Sequence, residues 1–338
     1  MHFKEGESLF MGRFVASKNQ ENESQMTPLM KAIKSIHSVS SSGDSLLLED
    51  IKKQRAGQDL YAKISTPIVG VDTNEFSVRG IPCEWITPAY KHDADHIILY
   101  CHGGGYTCGS LKYARIVGSR LCLHTAFRVV SVEYALAPEH PYPAAIEDIT
   151  VVWNYLMSLG IGAKNVVVVG DSAGGNLALE LLLRLKNQGR ILPKGLVLMS
   201  PWTDMTLSGE TYETCKDADP MLTKEYIQHA RYSYVGLNNK YDEAVDNYKI
   251  EDSDFDYSDP KYSPLFGDLS GFPPTLIQVG SNEILKDDSR RLYDKLLSEG
   301  VMVTLEEYED AWHVFQMSPG KKTNLAMASI ENFLDILY

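Results

Sequence analysis

Val166-Val167-Val168-Val169-Gly170-Asp171-Ser172-Ala173-Gly174-Gly175 is the stretch that decides the fold. Four consecutive valines read as a buried strand. From Ala173 to Asn187 the pattern is helical. Between the two stands Gly-x-Ser-x-Gly, Gly170 to Gly174. That pentapeptide arises by chance in about one chain in ten of this length, so its context decides its value. A strand that runs through a sharp turn into a helix is the setting of a nucleophile elbow. The turn needs small residues two positions either side of the serine, and Gly170 and Gly174 supply them. Ser172 then stands at the C-terminal end of a strand, beside a helix N-terminus that favours developing negative charge. The bland alternative is a glycine-rich turn with a capping serine.

Outward from this point, short β-rich runs recur at residues 75–79, 83–87, 96–101, 128–133, 165–170, 195–200, 275–280 and 302–307. Helix-length segments lie at 110–125, 144–159, 173–187, 285–299 and 322–337. Such alternation predicts βαβ units: an α/β fold with an eight-stranded, mostly parallel sheet and helices on both faces. The first two strands have no helix between them and are expected to form an antiparallel edge. The alternation fails between residues 200 and 275. There, 222–235 is helix-like, and 242–259 holds eight acidic residues and one lysine. This reads as a solvated insertion; it lacks the D-x-[DN]-x-[DN]-G spacing of a calcium loop. Ahead of the first strand, helix-like pieces at 27–37 and 46–56 flank a Ser/Gly/Asp stretch at 38–45. Their apolar residues, such as Met26, Leu29, Met30, Ile33, Leu46 and Leu47, predict a cap. The expected division is an N-terminal helical cap or lid over 1–70 and a catalytic domain over 71–338, with a cap-like insertion at about 202–260.

A second motif, His102-Gly103-Gly104-Gly105-Tyr106, follows the third strand. Three successive glycines let the backbone approach a ligand and expose several N–H groups. At this place such a loop suits an oxyanion hole. A dinucleotide fingerprint is the competing reading. It would need glycine at 108, whereas the glycine is Gly109, and Glu133 lies 28 residues beyond Gly105, further than a ribose contact at about 20. An oxidoreductase is therefore disfavoured.

A serine nucleophile needs a base and an orienting acid, in the order Ser, acid, His for a strand–elbow–helix site. Of nine histidines only His229 and His313 follow Ser172. His313, in Asp310-Ala311-Trp312-His313-Val314-Phe315, comes just after the last strand and is the expected base; His229 falls in the helix-like part of the insertion. The acid should follow Thr275–Gly280. Glu283 is the first carboxylate there, and Asp287 is the alternative, about one turn into the next helix, followed by Asp288.

With these motifs in place, the sequence resembles the hormone-sensitive-lipase-like family of α/β-hydrolases, in its bacterial esterase branch. The resemblance runs from about Ile97 to Phe315. It is carried by the glycine loop, by Tyr134-Ala135-Leu136-Ala137-Pro138-Glu139-His140-Pro141-Tyr142-Pro143-Ala144-Ala145, by Gly170-Asp171-Ser172-Ala173-Gly174-Gly175, by Ser200-Pro201-Trp202-Thr203-Asp204, and by the block around His313. It implies the α/β-hydrolase fold and a serine carboxylester hydrolase acting on small, short-acyl esters. It implies Ser172 as nucleophile and His313 as base. Oxyanion donors would be Gly104 with Gly103 or Gly105, plus Ala173. It implies no metal or organic cofactor, and an N-terminal cap. Two departures stand out. Glu283 sits where many members have aspartate. Glu133-Tyr134-Ala135-Leu136 replaces Asp-Tyr-Arg-Leu, which removes an arginine that ties that block together. An acyltransferase or amidase with the same triad, or a ligand receptor on the same fold, are the other readings; a receptor would typically have lost the serine or the histidine.

Composition agrees. The 338 residues are 44% hydrophobic and 23% charged, as in an ordinary globular chain. A net charge of −13 argues against nucleic acid and acidic membrane surfaces as partners. The expected partner is a small-molecule ester, with homo-oligomerisation left open. Five scattered cysteines without a CxxC pair, no signal-like start and no long apolar run predict a cytoplasmic protein.

Overall fold

The valines at 166–169 alternate between two buried faces. Val166 and Val168 pack with Ile149, Trp153, Leu177 and Leu181, while Val167 and Val169 pack with Val117, Leu121, Met327 and Ile330. This period of two, apolar on both sides, is that of a central strand covered by helices on each face. The computed structural model describes residues 12–16, 48–64, 69–90, 92–237 and 255–338. The expected helix at 27–37, the stretch at 38–45, the apolar residues Met26 to Leu47 and most of 242–259 lie outside the described residues.

The strands are β1 (Gly12–Ala16), β2 (Val71–Val78), β3 (Ile81–Pro88), β4 (Asp93–Cys101), β5 (Phe127–Val132), β6 (Val166–Asp171), β7 (Gly195–Met199), β8 (Thr275–Gly280) and β9 (Val303–Tyr308). They form one sheet in the order β1-β9-β8-β7-β6-β4-β5-β3-β2. All eight expected strands are present, and β2 and β3 form the antiparallel edge. A ninth joins them: Gly12–Ala16 pairs in parallel with β9. Five residues alone carry too little pattern to announce a strand. The open edge of β9, with its unpaired backbone groups, supplies the partner. The first 70 residues therefore contribute a strand to the sheet.

Eight α-helices are described: α1 (Leu48–Ile64), α2 (Leu111–Thr125), α3 (Ala144–Ser158), α4 (Ala173–Asn187), the short α5 (Thr211–Thr214), α6 (Lys224–Val235), α7 (Lys286–Ser298) and α8 (Lys321–Leu337). Buried side chains of α3, α4 and α7 join one face of the core, and those of α2 and α8 the other. α1 runs eight residues past its expected end. Glycine costs about 1 kcal/mol in a helix interior, yet the helix continues through Gly57.

Strand order places the site. After β4 the chain builds β5 on one side, then returns to lay β6 on the other, pairing Cys101 with Gly170. The loops leaving β4 and β6 thus diverge at a topological switch point, where open α/β sheets form their crevice. These are the loops that carry the glycine run and Ser172.

Candidate active site

Ser172 ends β6 and begins α4 with φ of 53°. That left-handed backbone costs a non-glycine residue roughly 1–3 kcal/mol. The fold holds it from both sides: Ser172 N–H donates to the Met199 carbonyl at 3.0 Å, and Trp202 N–H donates to the Ser172 carbonyl at 3.0 Å. The flanking glycines are obligatory. A Cβ on Gly170 would overlap the Gly174 carbonyl, and one on Gly174 would overlap the Cys101 carbonyl of β4.

β8 and β9 bring the other two residues. His313 Nδ1 lies 2.8 Å from Glu283 Oε2, with Glu283 fully buried and His313 nearly so. Glu283 Oε1 accepts from Gly280 N–H at 2.6 Å and from the Ser200 hydroxyl at 2.9 Å. The Ser200 oxygen in turn accepts from Val314 N–H at 3.1 Å, so one serine at the end of β7 holds both the carboxylate and the residue beside His313. Burial pushes the His313 imidazolium pKa down. The hydrogen bond and charge of Glu283, with Asp219 and Asp171 adding, outweigh it, and the net shift is upward from 6.5.

Neither alternative carboxylate points at the histidine. Asp287 Oδ2 accepts from Thr211 N–H at 3.1 Å. Asp288 Oδ2 accepts from Thr203 and Asp204 N–H at 2.7 and 3.0 Å, which fastens the 200–204 loop to α7. His229 lies within α6. Glu133, weighed as a ribose contact, accepts from Leu111 N–H at the start of α2.

The glycine loop is sorted by Asp171. Its Oδ1 accepts from the Tyr100 hydroxyl at 2.5 Å and from Gly103 N–H at 3.0 Å. Gly103 is thereby withdrawn from the expected oxyanion donors, because its only N–H is spent. Among the described residues no acceptor lies on the N–H groups of Gly104, Gly105 or Ala173. Burial raises the Asp171 carboxyl pKa to about 6, against the pull of these hydrogen bonds and of His313. His102, which opens the loop, is pushed down to about 4 by burial and is neutral at pH 7. Its Nδ1 meets the Gly103 carbonyl at 2.7 Å and its ring stacks on Tyr134, whose hydroxyl donates to the His102 carbonyl.

Two flanking elements reach the loop. Tyr106 stacks on Tyr234 of α6, with centroids 3.6 Å apart. From α1, Arg55 donates to the carbonyls of Thr107 at 2.7 Å and Ala137 at 2.9 Å, and grips Glu139 with two bonds of 2.8 Å. This helix thus ties residue 107 to the segment 137–139. Arg55, Ser200 and Asp171 were not singled out as working residues from sequence. Only the last two sit in blocks that could have flagged them.

Residues 98–317 match the model of a family described as having the alpha/beta hydrolase fold. An esterase of Acinetobacter venetianus is 42% identical over 224 residues, which is 66% of this chain and 69% of that protein. An acetyl-hydrolase of Streptomyces hygroscopicus is 35% identical over 258 residues, 76% and 79% of the two chains. A carboxylic ester hydrolase of Mycobacterium tuberculosis is 30% identical over 263 residues, 74% of this chain and 65% of that one. The crystal structure of an esterase from the bacterial hormone-sensitive lipase family superposes with a TM-score of 0.79 at 31% identity, covering 92% of this chain and 98% of that one. The chain belongs to the α/β-hydrolases, among the hormone-sensitive-lipase-like esterases, and is a carboxylic ester hydrolase.

Proposed function

We propose that the ester is cleaved through an acyl-enzyme formed on Ser172. The observation that carries this reading is the buried Glu283–His313 hydrogen bond of 2.8 Å, at the same end of the parallel sheet as the elbow serine. Glu283 accepts a hydrogen bond from Nδ1–H, which leaves Nε2 as the basic nitrogen. Nε2 takes the Ser172 proton as the oxygen attacks the ester carbonyl. The N–H groups of Gly104, Gly105 and Ala173 receive the oxyanion. His313 then protonates the leaving alcohol, and water repeats the cycle on the acyl-enzyme. A neutral His313 is required. In kcat/KM, which reports the free enzyme, activity falls on the acid side with a midpoint above the ordinary 6.5, because the folded histidine holds its proton more tightly. A pH profile on an aryl acetate with its midpoint below 6.5 contradicts the assignment.

The substrate in this reading is a small ester with a short acyl chain; the Streptomyces relative is itself named an acetyl-hydrolase. α1 and α6 are the covering elements that shape its pocket, since α6 touches the glycine loop at Tyr106 and α1 holds Thr107, the residue after it. A series of aryl esters of increasing acyl length tests both points. Rates should be highest for acetyl to butyryl. Arg55→Ala removes a partly exposed ion pair worth about 1 kcal/mol or less together with two carbonyl contacts. The expected result is a KM raised several-fold and a shifted acyl-length optimum, with Ser172 still labelled by a fluorophosphonate. An unchanged length profile, with only a lower melting temperature, removes α1 from the pocket.

A further inference from the structure

The insertion after β7 does more than cover the glycine loop. Its first part, residues 211–219, clasps the loop that carries Glu283. Thr211 Oγ donates to the Ile284 carbonyl at 2.7 Å and accepts from Asp287 N–H at 3.0 Å. Asp219 takes the other side of the same residue: its Oδ2 accepts from Ile284 N–H at 2.9 Å. Its Oδ1 accepts from Met221 and Leu222 N–H at 2.8 and 3.0 Å, in the turn that leads into α6. The side chain is buried, at 2% exposure. Both carboxylate oxygens are thus committed to backbone donors on two separate segments.

We infer that Asp219 is a positioning residue for catalysis: it fixes the backbone beside Glu283 to the turn that begins α6. The inference rests on the reading of Glu283 and His313 as acid and base. Ile284 N–H belongs to the peptide that follows Glu283, so releasing it frees the Glu283 backbone on its C-terminal side. The same tether joins the acid loop to the helix whose Tyr234 stacks on Tyr106.

The charge has a second use. His313 is faced by Glu283 from the loop after β8, by Asp171 from the end of β6 and by Asp219 from the insertion. Of the nearby cations, Lys286 Nζ donates to the Ser281 carbonyl and lies 3.4 Å from Cys215 Sγ, while Arg290 pairs with Glu307. Burial brings the Asp219 carboxyl up to about 6, with the backbone hydrogen bonds and His313 opposing. It is therefore ionised at pH 7 and favours the imidazolium that forms as Ser172 is deprotonated.

The test compares Asp219→Asn, Asp219→Glu and Glu283→Gln with the wild-type full chain on an aryl acetate. In Asp219→Asn, kcat should fall about 10- to 100-fold, the scale of a small misplacement of a catalytic group, with KM within about two-fold. The acid limb of kcat/KM should move to lower pH by a few tenths of a unit to about one, because a charge that raised the histidine is gone. Asp219→Glu keeps the charge but is too long for the clasp. It should keep the limb near the wild-type pH while kcat stays at least about five-fold low. A wild-type kcat in Asp219→Asn overturns the inference. So does a loss that only follows the folded fraction with the limb unmoved. If Asp219→Asn does not fold, a wild-type kcat in Asp219→Glu overturns it. Near-normal activity in Glu283→Gln would instead reject the acid–base reading beneath it.

Discussion

Ser172→Ala lowers kcat for an acetyl ester by about 10⁴-fold or more and leaves the fold intact. The hydroxyl oxygen is the only atom removed. The backbone bonds that hold the left-handed turn run through the Ser172 N–H and carbonyl, to Met199 and Trp202, and alanine keeps both. Alanine at this φ is strained as serine is, so the melting temperature should stay within a few degrees. What remains is whatever the N–H groups of Gly104, Gly105 and Ala173 give to direct attack by water. Such donors and binding alone sustain about 10³–10⁴-fold over the uncatalysed reaction in serine hydrolases that lose their nucleophile. A fluorophosphonate should label the wild-type chain at Ser172 and at no other serine, and should not label the variant. Activity above about 1% of wild type in the folded variant rejects the acyl-enzyme.

What could be read from the sequence was whatever local sterics or chain order dictates. Gly170 and Gly174 flank the serine because strand and helix collide there with any larger residue, a requirement contained within five positions. His313 was legible because one histidine alone follows the last strand, and Glu283 because it is the first carboxylate after β8. The unread parts are allocations of hydrogen bonds between distant segments. Gly103 looked as eligible a donor as its neighbours until Asp171, 68 residues away, took its N–H. Ser200 reaches Glu283 across 83 residues, Asp219 reaches Ile284 across 65, and Arg55 reaches Ala137 across 82. Nothing near Arg55 in sequence distinguishes it from a solvated helix arginine. β1 was missed for the same reason, since its partner is the edge of the final strand.

Glu283→Gln is expected to cost up to about 10⁴-fold in kcat, by analogy with the loss of the buried carboxylate in a serine protease triad. Donor counting explains why. Three donors point at Glu283: His313 Nδ1–H, Gly280 N–H and the Ser200 hydroxyl. A carboxylate accepts all three, whereas an amide offers one oxygen and turns its NH2 toward whatever lies opposite. Gly280 N–H is fixed by the backbone and can only donate, so it holds an oxygen on its side, where the Ser200 hydroxyl donates as well. Two donors on that side therefore hold the amide oxygen, and the NH2 faces His313. The imidazole answers by presenting a bare Nδ1 and carrying its proton on Nε2, the tautomer that cannot take a proton from Ser172. The lost charge also lowers the His313 pKa, so the acid limb of kcat/KM for the residual activity moves to lower pH. Asp287→Asn is the control. Its carboxylate accepts from Thr211 N–H rather than from the histidine, and an amide oxygen can replace it there, so kcat should change by less than about ten-fold. Should the two variants exchange ranks in kcat, the acid is Asp287 and the strand-end reading of Glu283 is wrong.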